Sequence, residues 1–212
     1  MPIVKIKHIN DNVTFGMWKI EEKEDYLQKH VRLSKQERSE YKRIQNVKRK
    51  KEWLSARAAL LEVCKSLKIK FKGTVKDENN KPHLKGLPWH ISISHSFPYA
   101  IALINKKEPC GVDIEKAKPA LFHVSKRFLN DRELNEIPRN PGNLCAAWAA
   151  KEVLFKIYGR QKISFKENLL LSPFDLKPKG NIVGHIKLEM GKRDYILEYF
   201  QLEDFVVIYS TA

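Results

Sequence analysis

The chain has 212 residues, of which 42% are hydrophobic and 31% are charged, and this composition is typical of a folded globular protein rather than a disordered one. Its 40 Lys and Arg residues outnumber its 25 Asp and Glu residues, so the formal net charge is +15. This excess predicts a surface that attracts polyanions, without indicating which polyanion. No run approaches the roughly 18 consecutive apolar residues of a membrane span, and the first residues lack the order of a secretory signal. We therefore expect a cytoplasmic protein with no membrane partner.

Three cysteines, Cys64, Cys110 and Cys145, lie far apart in the chain. Their spacing fits neither a paired metal site nor a disulfide framework. We expect reduced thiols that are buried in the core.

The first half of the chain begins with two predicted strands, IVKIKHI and VTFGMWKI, separated by turn residues. A helix is predicted from Ser34, because SKQE fits a capping box in which Glu37 is the partner of Ser34. The sequence stays helical in composition, without Gly or Pro, to about Leu67. This helix carries a basic run that indicates either a solvated face or an anion site: Lys42, Arg43, Lys48, Arg49, Lys50 and Lys51.

Strands are predicted again after the polar stretch DENNKP: HISISHS, YAIALIN and, entered through Gly111, GVDIE. A helical part follows, LFHVSKRFLNDRELNEI and then a helix from about Leu144 to Tyr158 that stops at Gly159. Three strands close the chain, HIKLEM, DYILEYF and FVVIYS, the first two joined across Gly191-Lys192. Each half thus combines helices with antiparallel strands. The sequence predicts an α+β fold with two similar lobes, residues 1–104 and 105–212.

Two acids mark the strand GVDIEK. Asp113 and Glu115 alternate with Val112 and Ile114, and side chains two residues apart share one face of a strand. Both carboxylates therefore point the same way.

A second group of polar residues lies in the helix CAAWAAKEVLFKIYG. Trp148, Glu152 and Lys156 recur every four residues and so share one stripe, with Lys151 beside it. Taken alone, this stripe is typical of an ordinary surface ion pair. If Glu152 faces Asp113 and Glu115, however, three carboxylates converge and repel one another unless a cation lies among them. Oxygen ligands without His or Cys suit Mg²⁺, which completes its shell with water and substrate phosphates.

The end of the strand ISISHS places Ser94 next to His95. This pair does not favour a serine hydrolase, because neighbours along a strand point to opposite faces and no G-x-S-x-G elbow is present. His95 is better interpreted as a phosphate contact or as a structural histidine.

Four motifs together resemble one family, the 4'-phosphopantetheinyl transferases, in the type that activates surfactin synthetase. They are NKP at 80–82, ISISHS at 91–96, GVDIEK at 111–116 and WAAKEVLFK at 148–156, all in the order of the family. GVDIE alone is a weak signal, but its combination with W-x-x-K-E-x-x-x-K about 30 residues later is specific. Asn80 departs from the family pattern, in which many members have Gly before Lys-Pro, and this puts the backbone geometry at Lys81 in question.

The resemblance implies two pseudo-twofold α/β lobes with coenzyme A bound in the cleft between them. It implies a reaction that moves the phosphopantetheine arm of coenzyme A onto a serine of an apo acyl or peptidyl carrier protein and releases 3',5'-ADP. In the family pattern Asp113, Glu115 and Glu152 match the ligands of Mg²⁺, for which Mn²⁺ is a possible substitute. The residues that match contacts to coenzyme A are Ser94, His95, Lys81, Lys151, Lys156 and, with a looser alignment, Arg57 together with the basic run before it.

These roles agree with the chemistry of displacement at a diphosphate. Charge must be neutralised on the leaving ADP, which Mg²⁺ and Lys156 supply as positioned electrostatics. The attacking serine must lose a proton, and Glu152 is the nearest candidate base, either directly or through a metal-bound water. We therefore expect Asp113, Glu152 and Lys156 to be the catalytic residues of a monomeric enzyme.

Two other classes of function stay open at this point. A nucleic-acid-binding protein would account for the positive charge, but it leaves Asp113 and Glu115 unexplained, and no aromatic residues are interleaved with the basic run. We expect no specific nucleic acid as a partner. A Mg²⁺-dependent phosphohydrolase that acts on coenzyme A-like diphosphates would use the same acids with water as the nucleophile.

Overall fold

The computed structural model describes residues 3–31 and 33–210 of the chain. The chain divides after Cys110 into two compact units, Met1–Cys110 and Gly111–Ala212, a few residues beyond the predicted boundary. Helices and antiparallel sheets occur in both units, as the α+β class requires.

The first unit contains a four-stranded sheet and a short separate hairpin. Its strands are β1 (Ile3–His8), β2 (Val13–Lys19), β3 (Thr74–Lys76), β4 (Pro82–Leu84), β5 (His90–Ser96) and β6 (Tyr99–Asn105). The sheet has the order β1-β2-β6-β5 with antiparallel pairing throughout, and β3 pairs with β4. The predicted strands of this half are confirmed, whereas β3 and β4 were not predicted.

The helices of the first unit are α1 (Glu24–Val31), α2 (Lys35–Arg43) and α3 (Val47–Ser66). The capping box of Ser34 and Glu37 is confirmed at the start of α2. The prediction of one helix from Ser34 to Leu67 is wrong, because Ile44 adopts an extended conformation and the Asn46 side chain caps a new helix by accepting from the Arg49 backbone N–H. The helix α1 was not predicted.

Helix α3 packs across the sheet of the first unit. Leu54, Leu60 and Val63 are fully buried there. Gly16 of β2 lies directly below the helix, where a Cβ would be 2.4 Å from Val63 Cγ2, so only glycine permits this close approach. This packing fixes the position of α3, which carries part of the basic run.

The second unit contains a five-stranded antiparallel sheet. Its strands are β7 (Val112–Lys116), β8 (Leu169–Leu171), β9 (Lys179–Leu188), β10 (Gly191–Leu202) and β11 (Phe205–Ser210), in the order β7-β11-β10-β9-β8. The three predicted C-terminal strands are confirmed, and β8 was not predicted. Gly191 and Lys192 do not form the turn, because they already pair with Leu188 and Lys187 as the first residues of β10.

The helices of the second unit are α4 (Leu121–Phe128), α5 (Asp131–Glu136) and α6 (Pro141–Tyr158). Helix α6 begins before the predicted Leu144, because Asn140 caps it and Pro141 occupies the first helical turn. It ends at Gly159 as predicted, where a φ of 70° gives the left-handed conformation of a helix C-cap.

Helix α6 packs against the sheet of the second unit. Val153 and Leu154 of the helix are fully buried in one cluster with Val206 and Ile208 of β11. Burial of each such side chain stabilises the fold by about 1.5–3 kcal/mol relative to its exposed state. The helix is thereby held over the edge of the sheet that ends in β7.

The three cysteines are free and buried, as predicted. Burial raises the pKa of each thiol to about 12. Within residues 3–31 and 33–210, no helix has the length and apolar character that would let it span a bilayer.

Candidate functional site

Strand β7 presents Asp113 and Glu115 to helix α6. Asp113 pairs with Ile208 and Glu115 pairs with Val206, and both partners belong to the core beneath α6. Paired residues of antiparallel strands share a face, so the two acids point toward the helix. The prediction that both carboxylates share one face is confirmed.

The helix stripe meets this strand at two points. Lys156 Nζ lies 2.7 Å from Asp113 Oδ1 and also donates to the Val112 carbonyl at 2.9 Å. Trp148 Nε1 donates to Glu115 Oε1 at 3.3 Å. The stripe of Trp148, Glu152 and Lys156 is therefore not an isolated surface ion pair within the helix, because its ends bind the strand.

The close packing of α6 on the start of β7 depends on Gly111. A Cβ at this position would lie 2.4 Å from the Val153 carbonyl oxygen. Any larger residue would push the helix away from the strand, since backbone cannot yield as a flexible side chain does. Gly111 thus sets the distance across which Lys156 reaches Asp113.

The carboxylates of this site destabilise one another's charged forms. The pKa of Glu115 is raised to about 7, mainly by burial, with the charges of Asp113 and Glu152 adding to the rise and with Trp148 and Lys156 opposing it. Burial also raises the pKa of Glu152, with Asp113 adding to the rise and Lys156 opposing it. The site thus places three carboxyl groups near one ammonium, that of Lys156.

The described residues contain no group of three or more His, Cys, Asp or Glu side chains that is arranged to hold a metal ion. Asp113, Glu115 and Glu152 interact electrostatically, but their side chains are not arranged around a common point as the ligands of a metal ion would be. The type of donor nevertheless fits a hard cation, because it consists of carboxylates alone and because added positive charge would relieve their repulsion.

In the first unit, His95 and Ser94 lie on β5, opposite Ala100 and Ile101 of β6. His95 is about one-third exposed, and its Nδ1 lies 3.6 Å from Glu52 Oε2. Glu52, on α3, also accepts from the Phe97 backbone N–H at 3.0 Å. Glu52 therefore connects the end of β5 with the helix that carries the basic run.

Lys81 lies in the turn before β4. Its backbone N–H donates to Asp77 Oδ1 at 2.9 Å, and burial lowers the pKa of its ammonium, with Cys110 and Asp77 opposing this shift. The preceding Asn80 has a φ of 64°, the left-handed conformation that glycine adopts readily and that Asn tolerates. The departure from Gly at this position therefore preserves a backbone conformation that glycine would also adopt.

The basic run lies on the last turn of α2 and the start of α3. Lys42, Arg43, Lys48 and Arg49 are exposed, whereas Lys50 and Lys51 are half-buried. Lys48 Nζ lies 4.9 Å from the centre of the Phe97 ring, which is itself exposed. This arrangement presents a basic surface on the first unit.

Arg57, which was predicted to contact coenzyme A, is buried against protein groups in this structure. Its side chain is 3% exposed, with Nε 3.2 Å from Glu37 Oε1 and the guanidinium stacked 3.2 Å above the Trp53 ring. Burial lowers its pKa to about 10, although Glu37 and Glu40 oppose the shift. The structure thus places Arg57 in the interior of the first unit, among protein groups.

Lys151, also predicted to contact coenzyme A, is likewise buried. Its side chain is 0% exposed, and Nζ donates to Glu133 Oε2 at 2.7 Å, to the Phe128 carbonyl at 2.7 Å and to the Phe165 carbonyl at 2.8 Å. An ammonium has three N–H donors, and all three are used within the protein. The ammonium of Lys151 is therefore fully hydrogen-bonded within the protein.

Sequence reasoning missed Glu133 and Glu52. Glu133 is 2% exposed and belongs to a capping box with Asn130 at the start of α5. The pattern N-x-x-E at this point could have indicated the capping box. Nothing local in the sequence indicated that Glu133 also binds Lys151, or that Glu52 reaches the end of β5.

Comparisons with known proteins point to the same family. Residues 109–209 match the model of the 4'-phosphopantetheinyl transferase superfamily. A Bacillus subtilis protein named 4'-phosphopantetheinyl transferase is 30% identical over 119 residues, which are 53% of this chain and 50% of that protein. The 4'-phosphopantetheinyl transferase Sfp of Bacillus subtilis strain 168 is 32% identical over 89 residues, 39% of each chain. The 4'-phosphopantetheinyl transferase psf-1 of Bacillus pumilus is 28% identical over 88 residues, 39% of this chain and 37% of that protein.

The chain thus spans about half the length, or less, of the curated relatives it matches. The segment matched by the family model contains the acids of β7 and the complete stripe of α6. Residues 109–209 of this chain are thus similar to the 4'-phosphopantetheinyl transferase superfamily, and the chain is similar to relatives of the Sfp type.

Proposed function

We propose that this protein is a 4'-phosphopantetheinyl transferase. It moves the phosphopantetheine arm of coenzyme A onto a serine hydroxyl of an apo acyl or peptidyl carrier protein and releases 3',5'-ADP. The observation that carries the proposal is the contact of Lys156 with Asp113 and of Trp148 with Glu115, in a segment that matches the superfamily. The names of the relatives support the same reaction.

Asp113, Glu115 and Glu152 are the residues that would hold Mg²⁺, or Mn²⁺ in its place. When bound, the ion would neutralise charge on the diphosphate of coenzyme A. Burial is the main cause of the raised pKa of Glu115 and of Glu152, and the charge of Asp113 adds to both shifts, so a cation among these carboxylates would stabilise their charged forms.

Lys156 supplies positive charge from the protein itself. Its side chain is 24% exposed, and its ammonium lies beside Asp113, one of the three acids of the site. In this position it stabilises negative charge that grows on the leaving diphosphate, and it acts through preorganised electrostatics.

Glu152 is the proposed base for the serine hydroxyl. The pKa of its carboxyl is raised by burial, which brings it nearer to the working pH and makes it a better proton acceptor than an ordinary glutamate. In the first unit, His95, Ser94 and Lys81 are the proposed contacts to coenzyme A phosphates, supported by their positions in motifs of the family. Arg57 and Lys151 are not part of this set.

The likeness of the two lobes is a further part of the proposal. In each unit one long helix, α3 or α6, packs on an antiparallel sheet. A cytoplasmic location is also proposed, since three buried free thiols agree with a reducing compartment.

The decisive experiment incubates the protein with coenzyme A, Mg²⁺ and a panel of apo-carrier proteins, followed by intact mass spectrometry. The expected result is a mass increase of one phosphopantetheine arm on at least one carrier, which is absent when the modified serine is replaced by alanine. Breakdown of coenzyme A without any carrier would instead identify a phosphohydrolase. No reaction with any carrier, together with tight binding of DNA or RNA, would favour the nucleic-acid-binding class.

A further inference from the structure

Each unit contains one fully buried cation on its long helix, and each cation meets a glutamate from a capping box. In the first unit the pair is Arg57 and Glu37, and in the second it is Lys151 and Glu133. We call these two groups the Arg57 clamp and the Lys151 clamp. Both cations were predicted to contact coenzyme A, and both contact protein groups instead.

The Arg57 clamp joins three elements. Glu37 Oε2 accepts from the Ser34 backbone N–H at 3.0 Å and so caps α2. Glu37 Oε1 accepts from Arg57 Nε of α3 at 3.2 Å, and from the Thr74 backbone N–H and hydroxyl of β3 at 3.1 and 2.8 Å. One buried carboxylate thus fixes a short helix, the long helix and the following strand.

The Lys151 clamp has the same construction. Glu133 Oε2 accepts from the Asn130 backbone N–H at 2.9 Å and caps α5, and it accepts from Lys151 Nζ of α6 at 2.7 Å. Glu133 Oε1 accepts from the Leu171 backbone N–H of β8 at 2.8 Å.

The spacing along the chain is also similar in the two clamps. Arg57 follows Glu37 by 20 residues, and Lys151 follows Glu133 by 18. The strand residue follows its glutamate by 37 residues in the first unit and by 38 in the second. The same device therefore occurs once in each unit.

The Lys151 clamp continues toward the acids of β7. The carbonyls of Phe128 and Phe165 accept from Lys151, and the rings of the same two residues contact Trp148 at centroid distances of 5.1 and 5.4 Å. Trp148 in turn donates to Glu115. An unbroken chain of contacts thus runs from the buried ammonium to a proposed metal ligand.

The position of Lys151 on α6 gives the clamp a second effect. Lys151 directly precedes Glu152. The three hydrogen bonds of its ammonium fix the rotation of the helix about its axis. A rotation of α6 would move Glu152 and Lys156 away from β7 together. The rotation would also separate the Lys151 ammonium from Glu133 and leave a buried charge without its partner. Because this is costly, the clamp resists such a rotation.

We propose that Lys151 and Glu133 are positioning residues, which hold Glu152, Lys156 and Trp148 in register with Asp113 and Glu115. This inference rests on the proposed function for the identity of the site. The Arg57 clamp is the structural counterpart within the first unit.

The test compares two matched double variants, Glu133→Gln with Lys151→Met and Glu37→Gln with Arg57→Met. Each removes the carboxylate and its cation together, so that neither member of the pair is left as a buried charge. Glu40, which also lies 3.8 Å from Arg57, keeps Lys76 as a partner at 3.0 Å. Amide hydrogen exchange of α6 and Mn²⁺ affinity of the protein without coenzyme A are measured for both, beside thermal unfolding.

The expected result is specific to the second unit. The Lys151 double variant should exchange faster between Trp148 and Lys156 and should lose about 10- to 100-fold in Mn²⁺ affinity, the range found when groups that orient metal ligands are removed. The Arg57 double variant should unfold at a similarly lowered temperature but keep the wild-type Mn²⁺ affinity and α6 exchange.

Two outcomes would overturn the positioning role. One is unchanged exchange of α6 in the Lys151 double variant, and the other is an equal loss of Mn²⁺ affinity in both double variants, which would indicate general destabilisation. If the wild-type protein binds no Mn²⁺ at all, the metal part of the proposed function fails, and the exchange comparison still decides whether the clamp holds α6.

Discussion

Lys156 Nζ lies 2.7 Å from Asp113 Oδ1, although the two residues are 43 positions apart in the chain. Asp113 is almost fully buried, so this ammonium compensates its charge in a place that water reaches poorly. The contact brings the cation of the helix stripe into the group of acids. It is the relationship on which the proposed chemistry depends.

Replacement of Asp113 by Asn should remove one proposed metal ligand with little change in shape. We expect at least about a tenfold loss of turnover and of Mg²⁺ or Mn²⁺ affinity, comparable to losses seen for groups that only orient metal ligands. Metal titration of the transferase rate measures both. Full turnover of the wild-type protein in excess chelator would contradict the metal assignment.

Replacement of Lys156 by Ala should lower kcat more than it raises KM for coenzyme A. The reason is that a charge which stabilises the leaving diphosphate acts more strongly in the transition state than in the ground state. Steady-state kinetics separate the two parameters, and Lys156→Arg serves as the control that keeps the charge. An effect on KM alone would assign Lys156 to ground-state binding.

The raised pKa of Glu115, about 7 against an ordinary 4.5, predicts a pH dependence of stability in the metal-free protein. Between these two values the unfolded chain has lost the proton while the folded protein keeps it. The folded state then binds more protons than the unfolded state, so the free energy of unfolding falls as the pH rises through this window and stays lowered above it.

Glu115→Gln should remove this dependence, because the amide stays neutral at every pH. In chelator at about pH 8 the variant should unfold at a higher temperature than the wild type, and at about pH 4 the two should unfold at nearly the same temperature. Thermal unfolding followed by circular dichroism across the pH range measures the difference. A difference that is independent of pH would show that Glu115 does not carry this shift.

The conformation of Asn80 predicts a selective response to substitution. At a φ of 64°, Asn80→Gly should be tolerated because glycine has no Cβ. Asn80→Ala should destabilise the protein by about 1 kcal/mol, because alanine keeps the Cβ that crowds the carbonyl but lacks the short polar side chain whose local hydrogen bonds let Asn adopt the left-handed region. We expect the alanine variant also to raise KM for coenzyme A through the adjoining Lys81. Denaturant unfolding and kinetics test both effects, and equal behaviour of the two variants would contradict the argument.

The net charge of +15 predicts salt-sensitive modification of carrier proteins that are acidic around their serine. Raising the salt from low to physiological should lower kcat/KM for the carrier, since exposed charges are screened beyond a Debye length of about 8 to 10 Å. A salt series of carrier kinetics beside an anisotropy titration with duplex and single-stranded oligonucleotides measures this. Tight oligonucleotide binding at physiological salt without carrier modification would reverse the order of the two functional classes.

The site was predictable from sequence where the signal is local. The alternation in GVDIEK places Asp113 and Glu115 on one face whatever the rest of the fold does, because the period of a strand is two. The four-residue spacing of Trp148, Glu152 and Lys156 places them on one stripe for the same kind of reason. Capping at Ser34 and the helix stop at Gly159 were likewise local and are confirmed.

Local signals did not predict the break between α2 and α3, where a continuous helix competes with a new helix that starts at a side-chain cap. The stretch from Ser34 to Leu67 has no Gly or Pro, yet the helix breaks before Asn46, because a side-chain cap at Asn46 replaces the backbone bonds of a continuous helix. The strands β3, β4 and β8 are three residues each and too short to show a period.

The sequence by itself determined which side chains share a face or a stripe, because that follows from the periods of strand and helix. Only the tertiary structure decided which cations are enclosed in the core and which lie at its edge. Lys151 and Lys156 lie on the same helix, but Lys151 points to Glu133 and two backbone carbonyls in the core, while Lys156 reaches Asp113 at its edge. The physical reason is that a charge can be buried only where it has partners, and these come from distant parts of the chain. Tertiary packing, and not local spacing, brings them next to the charge.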